Sequence, residues 1–153
     1  EQLDLYALVR RTHEECVAAI HPGVEGNDIF KLSKKIIGDA GYGDYYNHGL
    51  GHGVGIDIHE LPNFNRSKNI IEVGSVITME PGVYLPGVGG VRLEDYGVVT
   101  ENGYEPFTKT PHDLHFIDCL STSVDSLGRG LRSNSDAPRS LFMRSLQAPS
   151  ASV

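Results

Sequence analysis

The chain has little cysteine, no long apolar run and fewer basic than acidic residues. Cys16 and Cys119 are its only cysteines, which excludes a Cys₄ zinc site and a disulfide-dense scaffold and favours a cytoplasmic or organellar-matrix setting. No apolar run approaches the roughly 20 residues that a membrane helix needs, so we predict no membrane partner. The net charge of −7 argues against nucleic acid as a partner, because phosphates are bound through clusters of Lys and Arg.

The length and the composition along the chain predict one folded domain followed by a tail. A chain of 153 residues suits a single domain. Residues 119–153 contain nine serines and four arginines, and their few large apolar residues are scattered. Such a composition buries too little apolar surface to fold alone. We therefore predict a folded domain over residues 1–118 and a disordered tail over residues 119–153.

Two helices are predicted before residue 44. Apolar residues follow a helical period from Gln2 to Ile20, and the pattern stops where Pro22 makes the preceding residue avoid helical geometry. A second helical stripe runs from Ile29 to Ala40. Asn27 or Asp28 is the predicted N-cap, and Gly41 and Gly43 are predicted to end the helix.

The residue pattern after Gly43 predicts strands. Short runs rich in β-branched residues alternate with Gly, Pro and Asn, and residues 101–103 read as a tight turn. Helices followed by strands indicate an α+β fold with a mainly antiparallel sheet. The predicted strands are Tyr45–Leu50, Val54–Ile58, Ser75–Glu80, Val91–Leu93 and Gly97–Thr100.

Two histidines stand four residues apart in a glycine-rich segment, HGLGHGVG, as His48 and His52. Four glycines in eight residues argue against a helix. On an extended strand the two histidines would share a face but lie about 13 Å apart. One metal therefore could not bind both, which leaves one as a ligand and the other as a substrate-side group. The alternative is a glycine-rich turn with surface histidines.

Four further residues are candidates. His59 would face away from His52 on a regular strand, so it joins the same pocket only if the chain turns between them. Glu80 ends an apolar run, and a carboxylate buried there would need a cation or a metal; the alternative is a strand that simply emerges into solvent. Arg92 and Glu94 share a strand face, either as a surface ion pair or as a ligand with its orienting partner.

Taken together, one imidazole and two carboxylates on separate strands indicate a metal site. Mixed nitrogen and oxygen ligation suits Mn²⁺, Co²⁺, Zn²⁺ or Fe²⁺. Three ligands are too few for a dinuclear hydrolytic site, which uses several bridging carboxylates.

Three segments carry a resemblance to a known family: HGLGHGVGIDIHE (48–60), ITMEPGVYLPG (77–87) and GVRLEDYGVVTENGYE (90–105). They resemble the C-terminal part of the catalytic domain of the pita-bread metallopeptidases, specifically the Xaa-Pro aminopeptidase and prolidase branch. The resemblance runs from about residue 3 to residue 118. It implies the C-terminal half of a pita-bread domain, with two helices and a curved, mainly antiparallel sheet.

The resemblance also implies roles for the candidate residues. His52, Glu80 and Glu94 match metal ligands, and Glu80 also matches a proton-handling group. His48 and His59 match histidines that line the substrate site, and Arg92 matches an arginine beside the ligands. The implied activity is a metal-dependent exopeptidase that removes the N-terminal residue from peptides with proline in second position. Manganese is the implied metal, with cobalt or zinc as alternatives.

The sequence departs from the family pattern in its set of metal ligands. The family uses five ligands for two divalent ions, and no aspartate in residues 1–47 has the setting of the other two. We therefore expect the chain to be part of a longer product, a homodimer when full-length, and nearly inactive as an isolated chain. The alternatives are a catalytically dead binding module and a creatinase-like hydrolase on the same fold.

Overall fold

A computed structural model describes residues 2–66 and 68–115, so the predicted tail over residues 119–153 lies outside the described residues. A compact unit ends at His112, and the described residues beyond it have no regular secondary structure. The elements in chain order are α1 (Gln2–Ala18), α2 (Gly26–Asp39), a 3-10 turn (Gly43–Tyr45), β1 (Gly51–Gly53), β2 (Glu60–Phe64), β3 (Val76–Met79), β4 (Gly82–Leu85), β5 (Gly89–Arg92), β6 (Asp95–Thr100) and β7 (Gly103–Pro106).

Both predicted helices are present, and each buries the face that its apolar period indicated. The predicted N-cap of α2 is wrong. Glu25 occupies the cap position without a side-chain hydrogen bond, and Asp28 lies in the first turn, where it pairs with Lys31. The end of α2 is as predicted, because Gly41 follows with φ of 87°, a left-handed conformation that glycine adopts easily.

The strands form one main antiparallel sheet and a small second one. The main sheet has the order β2-β1-β3-β6-β7, and β4 pairs with β5 in a separate ribbon. Every strand pairing is antiparallel. The prediction of an α+β fold with two helices and a mainly antiparallel sheet is therefore confirmed.

Three of the predicted strands correspond to observed ones. Residues 76–79 form β3, residues 89–92 form β5, and residues 97–100 lie within β6. The turn at residues 101–103 is also present: Thr100 pairs with Gly103 across the β6–β7 hairpin.

Two predicted strands are wrong. Tyr45–Leu50 is not a strand, because Tyr46 bonds to α2 instead of to a neighbouring strand. Its backbone oxygen accepts a hydrogen bond from Lys34, and its hydroxyl contacts Ser33. Val54–Ile58 is a bend that leaves its isoleucines exposed. Sequence reasoning missed β1, β2, β4 and β7, each of which is only three to five residues long and contains Gly or Pro.

The core lies between the main sheet and the two helices. Side chains from α1, α2 and the central strands form one buried cluster, and Tyr104 of β7 packs against it. The cluster fixes the strand ends from which the candidate site residues project. Its members are Cys16, Ile20, Ile29, Leu50, Phe64, Ile71, Ile77, Met79 and Val99.

Within the described residues, none of the helices is both long enough and apolar enough to cross a membrane.

Candidate metal and substrate site

His52 lies on β1 at an irregularity in the sheet. The pairing of β1 with β2 shifts register between His52 and Gly53. Such bulges re-aim side chains, and they are common beside active sites. The His52 side chain, 16% exposed, consequently lies in an open cleft rather than in the core.

Glu80 is held where β3 ends. Its backbone N–H donates to Leu50 O at 2.7 Å, which ties the residue to the segment before β1. The Thr78 hydroxyl donates to Glu80 Oε1 at 3.2 Å and accepts from His52 N at 3.0 Å. The carboxylate is 14% exposed, so Glu80 does not simply emerge into solvent.

The hydrogen bonds of His52 leave one ring nitrogen available as a ligand. Nδ1 lies 2.9 Å from Gly53 O, and a carbonyl can only accept, so Nδ1 carries the proton. Nε2 then presents a lone pair to Glu80 Oε1 at 3.3 Å. Two acceptors facing each other need a cation or a proton between them. A metal-binding histidine typically has its second nitrogen oriented in this way, so these residues fit a metal ion.

Arg92 connects the two candidate carboxylate ligands. Its Nη1 lies 3.8 Å from Glu80 Oε2, and its Nε lies 3.8 Å from Glu94 Oε2. Glu94 follows β5 and is 43% exposed, and it is not among the described residues that line the cleft. One guanidinium therefore draws both carboxylates to the same side of the site.

His59 reaches His52 because residues 54–59 bend. The two imidazole centroids are 4.3 Å apart. The bend is braced where Asp57 N donates to Glu60 Oε1 at 2.8 Å. The chain therefore turns between His52 and His59, as it must for both histidines to share one pocket.

His48 lies on the other flank of the cleft, in a loop rather than on a strand. Its ring contacts Tyr46 and Tyr84 edge-on, with centroids 5.1 and 5.6 Å away. Nδ1 lies 2.6 Å from Gly49 O, so Nε2 carries the lone pair, and among the described residues this buried atom has no hydrogen-bond partner. Nε2 can therefore accept a hydrogen bond from a ligand.

The tyrosine beneath His48 is not an acid at neutral pH. Burial raises the pKa of Tyr46 above its usual range, and the hydrogen bond with Ser33 opposes this shift only in part. Tyr46 therefore supports the His48 ring as a neutral, packed group.

The cleft has a volume of about 810 Å³. Five of the six predicted site residues line it, namely His48, His52, His59, Glu80 and Arg92. Sequence reasoning missed four polar lining residues: Asp57, Glu60, Asn63 and Asn65. Asp57 and Glu60 lie within the same histidine-rich motif, so their position beside His59 was the available signal.

The fold and the donors together define a class. An imidazole on β1 and carboxylates just after β3 and β5, beside an open polar cleft, form a mixed nitrogen and oxygen donor set that suits a divalent metal ion. The sequence matches metallopeptidase family M24 over residues 1–101. The chain belongs to this family, whose members are metallopeptidases.

Individual relatives agree with the family match. The chain is 42% identical over 115 residues to the Xaa-Pro dipeptidase of Pyrococcus furiosus, covering 74% of this chain and 33% of the relative. The solved prolidase from Pyrococcus furiosus gives a TM-score of 0.70 at 42% identity, with 72% of this chain and 33% of that chain covered. The X-Pro aminopeptidase from Thermotoga maritima gives 0.69 at 32% identity, covering 72% and 32%.

These matches confirm the resemblance to the prolidase branch and its pita-bread fold. The chain spans about a third of the length of these relatives and corresponds to their C-terminal part.

Proposed function

We propose that this chain supplies part of the active site of a metal-dependent exopeptidase that cleaves Xaa-Pro bonds. In this proposal His52, Glu80 and Glu94 are metal ligands, and manganese is the favoured ion, with cobalt or zinc as alternatives. The observation that carries the proposal is the 3.3 Å approach of His52 Nε2 to Glu80 Oε1, with Arg92 within 3.8 Å of both carboxylates.

The chemistry follows from what the side chains can do. Bound divalent ions would supply an acidified water and polarise the scissile carbonyl. Glu80 accepts a proton from the attacking water and passes it to the leaving nitrogen as the C–N bond breaks. An Xaa-Pro bond is a tertiary amide, so its proline nitrogen has to gain that proton. His48 and His59 flank the cleft and stabilise the scissile amide.

Two substrate lengths fit this proposal. Removal of an N-terminal residue from a longer peptide is the aminopeptidase reaction. The similarity to proteins named Xaa-Pro dipeptidase favours dipeptides as a second candidate. Rates on an Xaa-Pro dipeptide and on an Xaa-Pro tripeptide, compared in one preparation, distinguish the two.

We propose further that the 153-residue polypeptide alone has little activity. Three ligands are too few for a dinuclear site, which needs additional bridging carboxylates. The two missing ligands are proposed to be aspartates from a longer product, which would be a homodimer. The scarcity of cysteine supports a cytoplasmic setting for it.

A chimera tests the proposed function. Residues 1–115 replace the matching segment of the Pyrococcus furiosus Xaa-Pro dipeptidase, and hydrolysis of Xaa-Pro peptides is measured with added Mn²⁺. We expect turnover that falls by more than about 100-fold in His52→Ala, a larger loss than the 10–100-fold typical of residues behind the ligands. His21→Ala, an exposed histidine, is the matched control and should retain activity.

The outcome also separates the alternatives. A chimera that melts cooperatively and binds Mn²⁺ but hydrolyses no Xaa-Pro peptide would contradict the proposed reaction and favour another hydrolase, such as a creatinase-like enzyme. A folded chimera that binds no metal would favour a dead binding module. Turnover by the isolated 153-residue chain, abolished by Glu94→Ala, would contradict its proposed inactivity.

A further inference from the structure

A second group of metal-ligating side chains lies outside the cleft lining. It consists of His13 on α1, Asp95 at the start of β6 and His112, which follows β7. Both imidazoles approach the same carboxylate oxygen: His13 Nε2 is 3.3 Å from Asp95 Oδ2, and His112 Nε2 is 3.2 Å from it. The cluster therefore joins three segments that are distant in sequence.

These separations match those between ligands of one tetrahedral ion. Zinc binds nitrogen and oxygen at about 2.0–2.2 Å, which puts neighbouring tetrahedral ligands about 3.3 Å apart. The two nitrogen–oxygen distances of the cluster have this value, and its three ligand atoms all lie within 4.8 Å of one another. The two rings meet edge to face, with centroids 5.0 Å apart and an interplanar angle of 88°.

Two atoms of the cluster lack hydrogen-bond partners within the described residues. The side chains of His13 and Asp95 are 5% and 9% exposed. Within the part of the chain that the structure describes, neither His13 Nε2 nor Asp95 Oδ1 makes a hydrogen bond. A buried polar atom without a partner is costly and calls for a ligand. Asp95 Oδ1 could serve as a fourth donor if the carboxylate binds in a bidentate manner.

We propose that His13, Asp95 and His112 form a second, structural metal site that takes Zn²⁺ or an ion of similar preference. Two imidazoles and a carboxylate are donors that zinc accepts and that disfavour the all-oxygen ions Ca²⁺ and Mg²⁺. None of the three residues lines the catalytic cleft, and the proposal stands independently of the proposed peptidase reaction.

The site would fasten the segment after β7 to α1 and β6. The backbone at His112 is already held there, since Tyr6 Oη and Arg10 Nη1 donate to His112 O at 2.8 and 3.1 Å. Bound metal would add a cross-link between this segment and Asp95, the immediate neighbour of Glu94. Binding to the folded state alone also stabilises it by mass action.

Cobalt binding by the 153-residue chain tests the proposal. The double variant His52→Ala/Glu80→Ala removes two candidate ligands of the cleft, and Co²⁺ is then added as a spectroscopic substitute for zinc. We expect one Co²⁺ per chain with the visible absorption of a tetrahedral ion, displaced by Zn²⁺, together with a higher melting temperature. In the same background, His112→Ala and His13→Gln should each weaken Co²⁺ binding at least about tenfold.

The control is His21→Ala, an exposed histidine that should leave Co²⁺ binding unchanged. His112 is 21% exposed, so its substitution disturbs folding less than that of His13. Far-ultraviolet circular dichroism identifies any variant that fails to fold. The proposal is wrong if the folded double variant binds no Co²⁺, or if His112→Ala binds it as tightly as the parent. Failure of the peptidase assay with the Co²⁺ signal intact would affect the proposed function alone.

Discussion

The glycines on either side of His52 are there because backbone lies against them. A Cβ on Gly51 would meet Thr78 O at 2.1 Å, and one on Gly53 would meet Leu61 O at 2.4 Å. The backbones of β2 and β3 therefore lie so close to β1 that only glycine fits at these two positions. The alternation of Gly with His52 is a packing requirement that also exposes the imidazole to the cleft.

Two glycine substitutions should act in opposite directions. Gly51→Ala puts a methyl group into backbone, which cannot move away easily, so we expect a loss of about 2 kcal/mol or more in the free energy of unfolding. Gly38→Ala lies in α2 with nothing within 4 Å, and it should gain about 0.4–1 kcal/mol. Urea denaturation measures both. Equal effects of the two substitutions would contradict this explanation of the motif.

At the scale of elements, the helices were predictable because their signals are local. The 3.6-residue period of α1 and α2 is carried by their own buried residues. Helix α1 ends at Ala18, a few residues before Pro22, and α2 ends at Asp39, just before Gly41. The β6–β7 hairpin was equally local, since its turn residues are adjacent in sequence. Each of these patterns is set by neighbours within about four residues.

The errors in strand prediction arise from contacts that are not local in sequence. Residues 54–58 alternate in hydrophobicity like a strand, yet Ile56 is fully exposed and Ile58 is 72% exposed. Glu60 accepts the Asp57 backbone N–H and bends the segment. Conversely, β2 includes Pro62, and among the described residues it is an edge strand of the main sheet, where proline is tolerated. These features depend on sheet position, which periodicity does not encode.

The candidate site, too, was predictable from the sequence only where its signals are local. The candidate metal ligands were visible from the motifs, as was the need for a turn before His59. The contact of Arg92 with both carboxylates depends on how β3 and β5 end relative to each other. The cluster of His13, Asp95 and His112 joins residues about 80 and 100 positions from α1, and no local pattern indicated it.

For the whole molecule, burial of weak acids predicts loss of stability at alkaline pH. Burial raises the pKa of Cys16 to about 12, and it also raises the pKa values of Tyr46 and Tyr104. Above about pH 9 the unfolded thiol ionises while the folded one stays protonated. The unfolded state then binds fewer protons, so stability falls as pH rises.

The expected decrease of the free energy of unfolding with pH can be measured. Cys16 alone should cost up to about 1.4 kcal/mol per pH unit between about pH 9 and pH 12, and the tyrosines add to this above about pH 10. Urea midpoints at pH 8, 9.5 and 10.5 should decrease in that order, and Cys16→Ala should show a shallower decrease. A midpoint that stays constant or rises over this range would show that these groups are not buried as described.

Direct Mn²⁺ binding tests whether His52, Glu80 and Glu94 hold a metal ion. The 153-residue chain with His112→Ala, which disables the second proposed site, serves as the parent. It is titrated with Mn²⁺ while the free ion is followed by electron paramagnetic resonance. The variants His52→Ala, Glu94→Gln and Arg92→Ala are compared with a control, Arg11→Ala, which changes an exposed arginine on α1 that lies 3.6 Å from Glu15. We expect the two ligand variants to bind Mn²⁺ far more weakly than the parent, Arg92→Ala to be weakened about 10–100-fold, and Arg11→Ala to be unchanged. Mn²⁺ affinity that is the same in the parent and in the folded His52→Ala and Glu94→Gln variants would contradict it.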